Sequence, residues 1–383
     1  MTARPLALRL LVAAFGVLVH SASVLAQSPS QDEALAAFAV QLAEDVAGDN
    51  VGGIAAGVMV DGDLVWAQAF GWADRDARAR MSTASILRTG SISKSVTAVL
   101  MMRLVDEGVI GLDEPVERYL PAFAGVADLR VDALPVTFRH LASHTAGLIR
   151  EPRWPDAVVG PIELWDKRIL ESLPLTAYDT LPGARYQYSN IGFGTLGLAL
   201  AKAAGRPFME MVRTEIFKPL GMTGSEFVVA GAELEARLAA GYVIGQDGLI
   251  DGEQPAREHA GRGYKVPNGG VYSTVADLGR FMGAMSGVPG LRILSEESRR
   301  EALSIQTPEN VNRGYGLGFS VQIDEKGQQI ASHGGSVAGY TAHMAFDPDA
   351  RIGVVLLRNY GRGVTNLGTA AQGLVTQLRD GIR

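Results

Sequence analysis

The sequence contains no cysteine, which excludes disulfides, thiol catalysis and cysteine-ligated zinc. Charge of one sign is also scarce: the net charge is −6 over 383 residues, with no basic stripe. A phosphate backbone needs clustered Lys and Arg, so nucleic acid is set aside as a partner. Histidine is thin too, six in all. After the first 26 residues no run is long and apolar enough to span a bilayer, and no internal repeat or low-complexity tract occurs. What remains is 47% hydrophobic and 20% charged, ordinary for a globular chain able to bury a sizeable core. Its length allows one large catalytic unit or two modest domains.

The first 26 residues differ in kind. Arg4 and Arg9 are their only charges, Leu10–Val19 is apolar, and Val24-Leu25-Ala26 precedes Gln27. A positive start, a short apolar middle and a V-x-A site describe a secretory signal peptide cut after Ala26. The competing reading is an uncleaved anchor helix, which needs roughly 20 apolar residues. Losing Arg4 and Arg9 takes the net charge from −6 to −8. The mature chain, 27–383, is expected to be periplasmic or secreted, with no stable membrane span and stability from packing alone.

Ser30 and Glu33 form a capping-box pattern that predicts a helix to about Val46, with Leu35, Phe38 and Leu42 on one face. Strands are predicted over Ile54–Val60 and Leu64–Phe70, joined at Asp61-Gly62, a hairpin signal. A helix is predicted from Ser91 to about Leu104, stopping near Gly108. Residues 90–300 are helix- and loop-rich, and strands return over Tyr315–Ile323, Gln329–His333, Thr341–Phe346 and Ile352–Arg358. A helix from about Thr365 to Leu378 closes the chain. The expected fold class is α+β: an antiparallel sheet flanked by N- and C-terminal helices, with a large helical insertion. The expected sheet subdomain is about 27–88 plus 301–383 and the helical subdomain about 89–300. The active site should lie in the cleft between them.

Gly90-Ser91-Ile92-Ser93-Lys94 opens a predicted helix. Positions i and i+3 share a helix face, so Lys94 should lie beside Ser91. A serine hydroxyl is a weak nucleophile until a neighbour accepts its proton, which a Lys does once its pKa is lowered. The helix start also supplies N–H donors for a developing oxyanion. Taken alone, S-x-x-K also describes a polar helix cap with a solvated Lys. Tyr188-Ser189-Asn190 sits in a polar turn, where Tyr188 can share proton transfer and Asn190 can hold both Lys94 and a substrate carbonyl. Its plain alternative is a loop Tyr packed on the core. His333-Gly334-Gly335-Ser336 ends a predicted strand, and two glycines let backbone approach a ligand closely. Its plain alternative is a strand-end histidine without a role.

The order S-x-x-K, Y-x-N, H-x-G resembles the serine β-lactamase and penicillin-binding-protein superfamily. The Tyr resembles class C β-lactamases and their D-alanyl-D-alanine carboxypeptidase, D-aminopeptidase and carboxylesterase relatives. Arg139-His140-Leu141-Ala142-Ser143-His144-Thr145-Ala146-Gly147-Leu148 and Pro267-Asn268-Gly269-Gly270-Val271-Tyr272-Ser273-Thr274 extend the resemblance over nearly the whole mature chain. It implies a β-lactamase/transpeptidase-like fold, with Ser91 as acylated nucleophile, Lys94 as proton partner and Tyr188 as base or relay. It further implies Asn190, His333, Gly334 and Gly335 at the substrate, backbone N–H groups of Ser91 and Ser336 as oxyanion hole, and no metal or organic cofactor. Lys-Thr-Gly or Lys-Ser-Gly is usual in true β-lactamases where this chain has His333-Gly334-Gly335. A His is largely neutral near pH 7 and Gly334 has no hydroxyl, which favours an ester or D-peptide substrate over efficient β-lactam hydrolysis. The alternatives are a β-lactamase proper, or a sensor or scaffold that binds peptidoglycan-like ligands without turnover.

Three motifs are set aside. Gly192-Phe193-Gly194-Thr195-Leu196-Gly197 spells G-x-G-x-x-G but lacks the βαβ context of a dinucleotide site; its glycines are read as allowing close helix packing. His140 and His144 have metal-ligand spacing without the H-E-x-x-H glutamate, and are read as a structural pair. Ser336 falls one residue short of G-x-S-x-G. The loops at about 150–165 and 225–265 are expected to shape the pocket.

Overall fold

The computed structural model describes residues 29–126, 134–253, 255–256 and 261–381. The expected signal peptide and the Ser30 side chain of the expected capping box lie outside the described residues. Helix α1 (Pro29–Asp49) leads into strands β1 (Gly53–Val60), β2 (Asp63–Asp74) and β3 (Ala79–Arg80). Asp61 and Gly62 turn the first hairpin with φ of 49° and 89°. Both central positions of a two-residue turn that matches strand twist need φ > 0, which Asp tolerates and Gly adopts freely.

Strand β4 (Leu87–Arg88) precedes the buried helix α2 (Ser93–Asp106). Three further helices concern the site: α3 (Phe138–Ala142), α4 (Trp165–Ser172) and α5 (Asn190–Ala204). Short strands β5 (Val243–Ile244), β6 (Ile250–Asp251) and β7 (Tyr272–Ser273) follow. The sheet resumes with β8 (Arg313–Tyr315), β9 (Ser320–Ile323), β10 (Gln329–Val337), β11 (Tyr340–Asp347) and β12 (Ile352–Arg358), and the C-terminal helix is Leu367–Gly381.

Eight strands form one antiparallel sheet in the order β3-β2-β1-β12-β11-β10-β9-β8. Its centre joins the two ends of the chain, with Ile54 opposite Arg358 and Val60 opposite Ile352. Strands β1 and β12 read as continuous apolar runs because both faces are covered. Ile54, Val58, Val354 and Leu356 pack under α1 and the C-terminal helix. Ala55, Met59, Val355 and Leu357 face the helical body. Helix α2 runs through that body, buried from Ser93 to Met102, with the buried Ser93, Lys94, Ser95 and Thr97 side chains donating to backbone carbonyls. The architecture is α+β.

Two strand expectations are corrected. Tyr315–Ile323 is not one strand: β8 and β9 form a hairpin whose tip tucks against α2. Gly318 stands at φ 80°, where an added Cβ would come 3.0 Å from the Lys94 carbonyl oxygen. Ser95 Oγ donates to the Gly318 carbonyl at 2.6 Å. Strand β10 does not end at His333 but continues through Gly334-Gly335-Ser336 to Val337, paired throughout with β11. Two glycines lower strand propensity, yet cross-strand pairing on β11 holds the segment extended.

The C-terminal helix is tied to the sheet by Arg379, which reaches Asp347 at 3.2 Å with side chains 7% and 3% exposed. Breaking a buried pair leaves the partner charge uncompensated. Replacing Arg379 by Met should therefore lower the unfolding free energy by about 3 kcal/mol in denaturant titration. A loss below about 1 kcal/mol would place Asp347 in the class of solvent-screened pairs instead.

Candidate active site

A single 3₁₀ turn, Gly90–Ile92, carries Ser91 directly into α2. The i, i+3 spacing places Lys94 under the hydroxyl, its Nζ donating to Ser91 Oγ at 3.0 Å. Lys94 is fully buried, and its second partner is the Asn268 carbonyl oxygen at 2.9 Å. Burial holds its pKa well below the usual lysine range; Glu151 opposes this, while Arg150 and Lys265 add to it. A buried ammonium is costly, so the site favours an amine able to accept a proton.

Tyr188 approaches from 97 residues away and donates to Ser91 Oγ at 2.9 Å. Its position follows from the start of α5. Ser189 caps that helix by accepting from Gly192 N at 2.9 Å. The Ser189 backbone N–H donates to His144 Nδ1 at 3.1 Å. The His144 ring lies against Tyr188 with centroids 4.2 Å apart, and touches Phe193 and Tyr315 as well. His144 thus props the phenol. His140, by contrast, caps α3, accepting the Thr137 backbone N–H at 3.3 Å on Nδ1. Helix α3 ends at Ala142, so the two histidines do not share a helix face. Burial raises the Tyr188 pKa, opposed by its bond to Ser91 and by Arg150.

Asn190 is engaged elsewhere than the sequence suggested. Its Nδ2 donates to Glu151 Oε1 at 2.6 Å, and Lys94 is satisfied without it. Glu151 is a hub: it also accepts from the Tyr264 hydroxyl and pairs with Lys265 at 3.6 Å. Arg150, Glu151 and the Asn268 carbonyl were missed as site residues. Their sequence signal is coarser: Arg150 and Glu151 open the 150–165 loop expected to shape the pocket, and Asn268 lies in the Pro267–Thr274 stretch.

The third segment reaches the site through backbone. An added Cβ on Gly335 would overlap the Thr89 carbonyl oxygen and lie 3.0 Å from Ser91 N. One on Gly90, at φ 54°, would lie 2.8 Å from Ser336 N. Turn 89–91 and strand β10 therefore meet backbone to backbone, with the Ser91 nitrogen close to Gly335 and the Ser336 nitrogen close to Gly90. His333 does not offer a free nitrogen to a substrate, a correction to its expected contact role. Its Nδ1 is bonded to the Gly334 carbonyl oxygen at 2.7 Å, and Tyr315 OH lies 2.8 Å from Nε2. Burial first, then Lys94, pushes its pKa down to about 3. Gly334 lies opposite His343 on β11. A groove of ≈ 680 Å³ passes Ser91, Arg150, Gly334–Ser336 and His343 and reaches the loop before the C-terminal helix.

The glycines of Gly192–Gly197 serve packing: a Cβ on Gly194 would come 3.1 Å from Ile169 and from Tyr264. Among the described residues no cluster of three or more His, Asp or Glu could hold a metal ion, and no helix is long and apolar enough to cross a membrane. A hydroxyl held between a buried amine and a phenol, on a turn packed against the β10 backbone, is equipped for acyl transfer.

Residues 39–374 match the Beta-lactamase family. The D-alanyl-D-alanine-carboxypeptidase/endopeptidase AmpH of Escherichia coli (strain K12) is 26% identical over 336 residues, spanning 84% of this chain and 83% of its own. Esterase EstB of Burkholderia gladioli is 30% identical over 335 residues, spanning 78% and 83%. Among solved structures, the octameric penicillin-binding protein homologue from Pyrococcus abyssi superposes with a TM-score of 0.71 at 27% identity, covering 85% of this chain and 73% of that one. A D-stereospecific amidohydrolase from Streptomyces, at 23% identity, shares the fold with a TM-score of 0.70 over 90% of this chain and 98% of its own.

Proposed function

This chain belongs to the beta-lactamase family, and from that premise we propose that it is an exported serine hydrolase working through an acyl-enzyme on Ser91. The observation that carries this reading is the Ser91 oxygen held at 3.0 Å by Lys94 Nζ and at 2.9 Å by Tyr188 OH. Ser91 Oγ attacks an ester or amide carbonyl as its proton passes to the Lys94–Tyr188 pair. The oxyanion is received by the Ser91 and Ser336 N–H groups. Collapse breaks the bond to the leaving group, which takes the proton from the pair. Water, giving its proton to the same pair, then attacks the acyl carbonyl, and as the acyl–oxygen bond breaks the pair returns that proton to Ser91 Oγ. The two protonation equilibria are coupled, so the base is the pair rather than either residue.

An ester or D-amino-acid peptide is favoured over a β-lactam. His333 is buried with both nitrogens occupied and Gly334 has no hydroxyl, so these two positions offer neither a cation nor a side-chain donor to a lactam carboxylate. Asn190, held by Glu151, and the backbone of Gly334 and Gly335 are the proposed substrate contacts, with His333 supporting them from behind.

The test uses protein recovered from the exported fraction with Gln27 as its first residue. Its steady-state turnover is compared on a short-chain ester, a D-amino-acid peptide and a cephalosporin. The ester is expected to turn over fastest and the cephalosporin slowest. A cephalosporin hydrolysed faster than the ester overturns the substrate order. A single burst equal to the protein present, without further release, overturns the enzyme reading in favour of a trap.

A further inference from the structure

The Lys94–Tyr188 pair must hold one proton fewer than its maximum before it can take the proton of Ser91. The charges that face the pair decide how readily that state forms. Around it stand His144 after α3, Arg150 and Glu151 on the following loop, and Tyr186 beside Tyr188. Tyr264 and Lys265 come from the segment before β7, and Tyr315 and His333 from the sheet. Most of these carry no charge, while Glu151 raises the Lys94 pKa and Lys265, a weaker influence, lowers it. Glu151 and Lys265 pair at 3.6 Å. Burial pushes both histidines down and Tyr186, Tyr264 and Tyr315 up, so all five are neutral near pH 7. Arg358 lines the groove but is turned to Thr341, Tyr360 and Thr365.

Arg150 is left. Its guanidinium is permanently charged and its Cζ lies 4.9 Å from the Tyr188 ring centroid. It lines the groove beside Ser91. Among the described residues no carboxylate forms an ion pair with it, although Glu151 is its neighbour in sequence: the Glu151 oxygens are turned to Asn190 and Tyr264.

We propose that Arg150 is a positioning residue for the proton transfer, its charge over Tyr188 favouring the singly deprotonated Lys94–Tyr188 pair that activates Ser91. This rests on Ser91 being the nucleophile. The effect is the same whichever member keeps the proton. Fully protonated, the pair carries one positive charge; after losing one proton it carries none, as amine and phenol or as ammonium and phenolate. A nearby fixed cation disfavours the charged state in both cases.

The experiment is the pH dependence of kcat/KM and of the rate at which a serine-directed phosphonate labels the protein. Wild type, Arg150→Gln and Arg150→Lys are compared at low salt and at about 1 M salt, where screening extends over only ~3 Å. Activity rises as pH climbs through the apparent pKa of the pair. Removing a positive charge raises that pKa, so Arg150→Gln should move the rising limb to higher pH by about half a unit to one unit. Labelling below the limb then slows about threefold to tenfold, with the plateau little changed. Arg150→Lys should restore the limb, and high salt should close the gap between wild type and Arg150→Gln. A limb that stays put overturns the proposal. So does a Lys variant that fails to restore the limb while its thermal midpoint falls, which is the signature of a structural role. If Arg150→Gln does not fold, the salt dependence of wild type and Arg150→Lys decides: a limb insensitive to salt refutes the proposal. Ser91→Ala in the same assay separates the two readings: labelling that survives it removes the nucleophile assignment, whereas labelling lost with an unmoved limb removes only Arg150.

Discussion

Replacing Ser91 by Ala should reduce turnover of every accepted substrate by at least about 10⁴-fold and abolish covalent labelling by a phosphonate. The size of the loss follows from the lack of a substitute nucleophile. Ser93, the next hydroxyl on the same turn, donates to the Gly90 carbonyl at 2.7 Å and accepts from Val271 N at 3.0 Å, so it is committed to structure. Ser336 is proposed to act through its backbone nitrogen, and Ser336→Ala should keep the label. Lys94 loses one of two partners in Ser91→Ala and retains the Asn268 carbonyl, so the fold should persist with an unchanged far-UV spectrum. Intact-mass analysis after phosphonate treatment gives the answer directly. An adduct still formed by Ser91→Ala, or mapped to another residue in wild type, would refute the assignment.

Gly335→Ala should cost about 10³-fold in kcat with little change in KM, the size expected when an oxyanion donor is lost. The added methyl has nowhere to go. Its neighbours are the Thr89 carbonyl group, with its carbon at 2.9 Å, and Ser91 N at 3.0 Å, all backbone atoms fixed by the turn into α2. Strand β10 must retreat from the turn, which draws apart the Ser91 and Ser336 nitrogens proposed to receive the oxyanion. Gly334→Ala is the contrast. There the methyl meets His343 Nδ1 at 3.0 Å, the end of a side chain that can shift, and the loss should stay within about tenfold. Steady-state kinetics of the two variants, with thermal midpoints to show that both fold, makes the comparison. If Gly335→Ala keeps kcat within tenfold of wild type, the oxyanion pocket is placed wrongly.

The site residues differ in how far local rules reach. The hydroxyl–amine contact of Ser91 and Lys94 needs only helix geometry, since three residues make almost one turn. The Asp61-Gly62 hairpin needs only turn chemistry, and β1 and β12 announce themselves as apolar runs. The H-G-G-S segment was legible as a place where backbone could approach a ligand. The end of its strand was not, because pairing with β11 overrides the low strand propensity of two glycines. The β8–β9 hairpin was read as one strand for a similar reason: its tip is shaped by packing on α2, not by its own residues.

By itself, the sequence determined the α+β class, the chain ends joined in one sheet, and the residue types gathered for acyl transfer. Those follow from periodicity, spacing and motif order, which are short-range properties of the chain. Only the tertiary structure decided which partner each polar group took. Asn190 went to Glu151 instead of Lys94, His333 to Tyr315, and Arg150 lies over Tyr188 with no carboxylate paired to it among the described residues. Burial and through-space charge decide those pairings, and both depend on separate segments, 39 residues apart for Asn190 and Glu151 and 18 for His333 and Tyr315, being brought within a few ångströms.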